Sequence, residues 1–178
     1  MSPGNEDGRP AQRTLDAAFR SAMRNMAATV TLLTTRDECG PHGIAASAVL
    51  SIPTAPPTLL VSVSQSSSIY RPLVNTGRFC INILGYDQAH LLLPFTSSDL
   101  RGQRFKAGQW EEEGMYSLPV LPLVVGAIVC TTRQIIEQGE HSIFLGGVEA
   151  VIDGQRRAPL VWYDGAQADL ETAASNAG

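Results

Sequence analysis

The chain lacks what would place it among nucleic-acid binders, disulfide scaffolds, membrane-spanning proteins or Rossmann enzymes. Its 178 residues hold 13 Lys and Arg against 17 Asp and Glu, a formal charge of −4. That leaves no basic excess to offset the phosphates of a nucleic acid or an anionic bilayer. Neither partner is expected, although an anionic small molecule, which needs only local donors, remains compatible. Cysteine is scarce: Cys39, Cys80 and Cys130 stand far apart, cannot all pair, and show no CxxC spacing. A reducing, cytoplasmic compartment is the simplest expectation. No run of about 18 uncharged apolar residues occurs, and the opening MSPGNEDGRPAQR is polar, so neither export nor membrane spanning is expected. Asp87, His90 and Asp99 lack a further ligand at diagnostic spacing, and no metal is expected. Neither GxGxxG nor GxxxxGK[ST] is present, which excludes a Rossmann or P-loop nucleotide site.

What is present is apolar content of 44%, enough at this length for one domain that buries roughly two-thirds of its unfolded surface. Residues 1–13 read as a flexible tail, 14–167 as the domain and 168–178 as a second tail or frayed helix. From Thr14, a possible cap, Leu15, Ala18, Phe19, Ala22, Met23 and Met26 recur at helical spacing and make one apolar face. Thr29 to Thr35 alternates and is β-branched, and Asp37 to Pro41 supply a turn into a strand from Gly43. Further on, Ile69 to Val74 predicts a short helix ended at Asn75-Thr76-Gly77, Phe79 to Leu84 a buried strand, and Gln88 to Phe95 a second helix. Thr96 to Gly108 is long and polar enough to be a lid. The acidic Glu111 to Glu113 follows, with Trp110 and Phe105 read as packing residues. Val124 to Thr132, Gln134 to Gln138, Ser142 to Ile152 and Pro159 to Tyr163 predict strands. Strands at short intervals without βαβ alternation favour a mainly β fold with short helices, a closed antiparallel barrel over a doubly wound sheet.

One stretch carries chemistry. Gly43 to Pro57, GIAASAVLSIPTAPP, concentrates small residues between β-branched Ile44, Val49 and Ile52, so backbone is approachable where Ala45, Ala46, Ser47 and Ala48 run without a bulky side chain. Pro56 and Pro57 then stop the pairing before Leu59 to Val63. After that strand, Ser66, Ser67 and Ser68 offer three hydroxyls at a strand-to-helix turn, suited to phosphate oxygens or to plain solvation. On spacing alone, a tightly packed core strand is the simpler account of Ala45 to Ser47.

Taken together, Phe19-Arg20-x-Ala22-Met23, Thr29-Val30-Thr31, His42 through Pro57, Phe79 to Leu84, Arg104-Phe105 and His141 to Gly146 resemble the flavin reductase family. The likeness runs from about Phe19 to Gly165 and is nearest to reductase components of two-component aromatic hydroxylases and pyrimidine-degrading systems. It implies an antiparallel, Greek-key-like FMN-binding split barrel and NAD(P)H-dependent reduction of FMN or FAD. It also implies a homodimer and a partner monooxygenase that receives reduced flavin. By resemblance, Ala45 to Val49, Ser51 and Ile52 hold the flavin, with Ser51 at the ribityl chain or phosphate and Ser66 to Ser68 at the phosphate. Phe95 and Thr96 close over it, and His141 and Tyr163 belong to the nicotinamide side. Hydride transfer between two stacked rings requires no catalytic triad, and none is expected. Two departures stand out: Ala45 replaces a common Thr, and Asp164-Gly165-Ala166-Gln167 lacks the base and Tyr with which relatives end. The latter keeps a non-enzymatic flavin-binding protein open as an alternative, and a purely structural barrel is the third.

Overall fold

Residues Thr31 to Thr35 are buried without a break, because the strand they belong to is covered on both faces. The computed structural model describes residues 9–111, 117–168 and 170. In chain order these form α1 (Arg9–Arg24), β1 (Ala28–Thr29), β2 (Thr31–Asp37), β3 (Gly40–Ala46), β4 (Val49–Ile52), β5 (Thr58–Ser64), α2 (Tyr70–Thr76) and β6 (Arg78–Ile83). A 3₁₀ turn at Tyr86–Leu91, α3 (Leu93–Thr96) and a second 3₁₀ turn at Arg101–Gln103 precede β7 (Gly126–Gln138), β8 (His141–Asp153), β9 (Val161–Tyr163) and β10 (Ala166–Ala168).

The seven-stranded sheet has the order β3-β2-β6-β7-β8-β5-β4, and β1-β9-β10 make a smaller one. All pairs are antiparallel. The two edges of the large sheet, β3 and β4, are consecutive in the chain and joined only by Ser47 and Ala48. The barrel is therefore split at that joint, and the lie of β5 beside β8 with β6-β7-β8 in sequence is Greek-key-like. Alternate side chains feed two cores: Leu33, Val61, Phe79, Ile81 and Phe144 pack with Ile69 and Leu73 around α2. Leu32, Cys80 and Val129 point the other way, onto Leu84, Phe95 and Leu121. Buried polar groups thread between them. Thr31 Oγ1 donates to Ala46 O (2.8 Å), Thr34 Oγ1 to Pro119 O (2.7 Å) and Thr35 Oγ1 to Arg78 O (2.7 Å). Asn82 Nδ2 donates to Leu32 O (3.2 Å) while its Oδ1 accepts from Leu121 N–H (2.8 Å).

The expected hairpin over β2 and β3 forms, and α2 ends where Gly77, at φ 62°, returns its N–H to Leu73 O. Other boundaries differ. The helix α1 begins at Arg9, so Thr14 lies inside it and does not cap it; Pro10 falls in the first turn, where a missing N–H costs no intrahelical bond. The helix expected over Gln88 to Phe95 breaks into a 3₁₀ turn and α3, because Pro94 has no N–H to continue the earlier turn. The two strands expected between Val124 and Gln138 are one, β7, with a register shift between Thr132 and Gln134. Of the expected tail from 168, Ala168 belongs to β10 (Ala166–Ala168), and the rest of it, apart from residue 170, lies outside the described residues, as do Glu112, Glu113 and residues 1–8 of the first tail, whose residues 9–13 are in α1.

Adjacent glycines of β8 give a direct test of packing. A Cβ on Gly146 would fall inside van der Waals contact of the buried Phe79 ring and 2.9 Å from Cys130 Cβ, whereas on Gly147 it would meet the Arg133 side chain, 2.7 Å from Nε. Rings in a core cannot retreat; an exposed arginine can. Gly146→Ala is expected to cost about 1–3 kcal/mol and several degrees of Tm, and Gly147→Ala less than about 0.5 kcal/mol, both read from thermal melts.

Candidate functional site

Pairing with β2 carries β3 up to Ala46, which faces Thr31 in the ladder and accepts its hydroxyl. The chain then changes edges. Ser62 N–H of β5 donates to Ala48 O at 3.1 Å, so the new pairing starts two residues after the old one stops. Ser47 and Ala48 are exposed in the gap. Their small side chains leave a hollow of about 190 Å³, with Ala45, Ala46 and Ser47 on one wall, Leu92 and Thr96 on another and Trp162 closing a third. It adjoins an open groove of about 1350 Å³ that shares Ser47 and Trp162 and runs along α1 past Phe19, Met23 and Met26. Phe19 and Met23 of α1 and Met26 just after it are exposed, as is Leu15, so the described residues leave the apolar face of the helix uncovered.

The serine turn lies beyond the end of β5. Ser66 and Ser64 hydroxyls meet at 2.9 Å, Ser67 N–H returns to Ser64 O (3.0 Å), and Ser67 Oγ is buried without a partner among the described residues. Ser68 Oγ accepts from Arg104 Nη1 at 3.0 Å. That guanidinium also donates from Nη1 to Gly43 O (2.7 Å) and from Nε to Pro94 O (2.9 Å), and it sits 6.0 Å from the centroid of the Phe95 ring. Burial, helped by the charge of Arg101, lowers the Arg104 pKa below its usual value. Consequently Thr96 to Gly108 is no free lid: Arg104 anchors it, and Phe105 stacks edge-on against Phe95 (5.5 Å) and Trp110 (5.0 Å).

The residues singled out from sequence separate into groups. Ala45, Ala46, Ser47 and Thr96 come together around the hollow, and Ala48 joins Ser47 on the groove. Val49, Ser51 and Ile52 pass along β4 and line neither cavity; Val49 packs on the core around α2. Phe95 is buried and turned into the aromatic cluster, away from the hollow that the next residue lines. Ser66 to Ser68 and His141 share one end of the barrel, since exposed His141 faces Ser64 in the β5–β8 ladder and Gln65 N–H donates to Glu140 O (2.9 Å). Tyr163 is half-exposed and lines neither cavity; Trp162, not singled out from sequence, lines both. Its signal was period 2, because Val161 is buried and its neighbour must face the other way. Arg104 entered the sequence reading only through the Arg104-Phe105 motif and not as a site residue, two of its three partners lying 61 and 36 residues away. Asp164 (φ 47°) and Gly165 (φ 80°) form the tight turn between β9 and β10, a geometry Asp-Gly favours. Asp164 is held by Arg24 of α1, Nε to Oδ1 at 3.0 Å. Ala166 and Gln167, where relatives carry the base and Tyr, stand exposed on β10, Gln167 donating to Tyr86 O (3.2 Å).

Residues 23–171 match the model of the flavin reductase like domain. The chain belongs to that family. This flavin reductase family member is 38% identical over 146 residues to FMN reductase (NADH) RutF of Pseudomonas syringae pv. syringae, 82% of each chain being covered. Among solved structures, flavin reductase PheA2 in its native state superposes with TM-score 0.76 at 30% identity, covering 87% of this chain and 97% of that one. The NADH:FAD oxidoreductase SgcE6 of Streptomyces globisporus, in complex with NAD and FAD fragments, shares the fold at TM-score 0.82 and 21% identity, over 96% of this chain and 99% of that one. The site fits a flavin: a planar ring needs the small-residue wall and the connected groove, and a phosphate needs donors such as the partnerless Ser67 hydroxyl.

Filling the hollow from an exposed position separates binding from folding. Ser47→Phe is expected to change stability by less than about 0.5 kcal/mol and to weaken FMN at least about tenfold, measured by melts and by quenching of flavin fluorescence. Unchanged FMN affinity would move the ring elsewhere.

Proposed function

We propose that this protein is an NAD(P)H-dependent flavin reductase that takes FMN or FAD as substrate and releases reduced flavin to a partner monooxygenase. The observation that carries the reading is the hollow of small side chains at the split of the barrel, in a chain similar to an NADH-dependent FMN reductase. When both are bound, reduced nicotinamide supplies a hydride to flavin N5 and one proton from solvent completes the two-electron reduction. The protein's part is to bind and orient. Main-chain groups of Ala45 to Ser47 meet the polar edge of the ring, the Ser66 to Ser68 turn takes the phosphate, and Thr96 bounds the ring opposite. With Ala in place of Thr at 45, one hydroxyl contact is absent. His141 hydrogen-bonds or stacks with the nicotinamide nucleotide, and Tyr163 is the second residue assigned to that nucleotide.

A homodimer in the cytoplasm completes the proposal. Support comes from the α1 face that the described residues leave uncovered, where Leu15 and Phe19, with Met26 just past the helix, are each more than half exposed (69%, 62% and 62%); a second copy would cover them and give the cleft a wall. Asp164 to Gln167 favours one competing reading, a flavin-binding protein without turnover.

Anaerobic mixing of protein, FMN and NADH separates the two. Rapid loss of the flavin's visible absorbance is expected of the reductase, and binding without bleaching of the binder. His141→Ala is expected to raise the NADH KM about tenfold while FMN binding changes less than about twofold; equal effects on both ligands would remove the assignment.

A further inference from the structure

Resting on the flavin-site reading, we propose that Arg104 is the positioning residue of the phosphate subsite: it orients the Ser68 hydroxyl so that its proton is presented to a flavin phosphate oxygen. The direction of the contact decides this. A guanidinium has only donors, so in the 3.0 Å contact Ser68 Oγ must accept and its own proton must point elsewhere. No described residue takes that proton. Of Ser64 and Ser66 one hydroxyl donates to the other, and Ser67 Oγ has no partner at all among the described residues, so Ser68 is the one hydroxyl of the turn with a charged group behind it. A hydroxyl polarised by a cation is the stronger donor to an anion.

Arg104 is also a cation with no counter-ion among the described residues. It is 7% exposed, pairs with no described carboxylate, and meets two carbonyls and one hydroxyl; Nη2 makes no hydrogen bond to any described residue. A buried positive charge that no described residue compensates favours an anion nearby far more than a solvated one would. In the sequence the nearest cation to the serines is exposed Arg71, whereas in space Arg104 lies in contact with them. The same group grips Gly43 of β3 and Pro94 of α3, so the phosphate turn, the ring wall and the opposite wall are tied to one point.

FMN and riboflavin differ only in the phosphate and are the probes. Each is titrated into the full chain and into Arg104→Met, Arg104→Lys, Ser68→Ala and the Arg104→Met/Ser68→Ala double variant. Both single removals are expected to raise the Kd for FMN about tenfold or more, the effect of losing a hydrogen bond to a charged group, with riboflavin altered less than about twofold. Arg104→Lys keeps an intermediate preference for FMN, and the double variant is no weaker than the poorer single, because the two act in series. Equal weakening of both flavins makes Arg104 a packing residue and overturns the proposal, as does an unchanged preference for FMN. Should Arg104→Met fail to fold, Ser68→Ala decides alone. A wild-type chain that binds neither flavin brings down the flavin site itself, whereas wild-type binding with preference intact in Ser68→Ala brings down only the role of Arg104.

Discussion

Everything in the site depends on the two-residue step by which the chain leaves the edge of one ladder and enters the other. Ala46 is the last residue paired to β2, and Ala48 already receives a hydrogen bond from β5. Between them the backbone spans a gap that no strand fills. Large side chains there would plug the gap; Ala45, Ala46, Ser47 and Ala48 leave it open. The split in the barrel and the binding wall are thus the same feature, seen once as topology and once as chemistry.

Around that gap the fold substitutes anchoring for motion. The segment after α3 is polar and lacks regular structure beyond one 3₁₀ turn, yet Arg104 fastens it from within and three aromatic rings, Phe95, Phe105 and Trp110, lock together above. A guanidinium suits this task because its fork meets several acceptors in fixed directions at once. Preorganised walls serve a reaction that requires two rings to be held face to face more than it requires acid or base.

Much of this was legible in the sequence wherever a local rule applied. The β-branched run of β2, the turn before β3, the glycine that ends α2 and the small-residue stretch all have short-range causes, and each is present, although the turn is confined to residues 38 and 39 and β3 starts at Gly40 rather than Gly43. Misreadings cluster where a distant partner decides. Phe95 follows the helical pattern but is turned into a cluster whose other members lie 10 and 15 residues on. Gln88 to Phe95 has helical periodicity, yet a single missing N–H at Pro94 divides it. Arg104 stands out in the sequence only as part of the Arg104-Phe105 motif, because nothing nearby announces the carbonyl of Gly43. Trp162 was adjacent to the residue chosen, and one position in a strand is the difference between two faces.

The polar threads through the core bear on how β2 finds its partners. Since β2 is covered on both sides, sliding it by one position would merely exchange Leu32 and Leu33 between two oily environments, and hydrophobicity alone would scarcely object. Thr31, Thr34, Thr35 and Asn82 do object, for a slipped strand would strand their hydroxyls and amide without acceptors in a dry interior. Alignment is written in hydrogen bonds where grease is ambiguous, and because Thr31 closes on Ala46, the same code sets where the opening for the ligand falls.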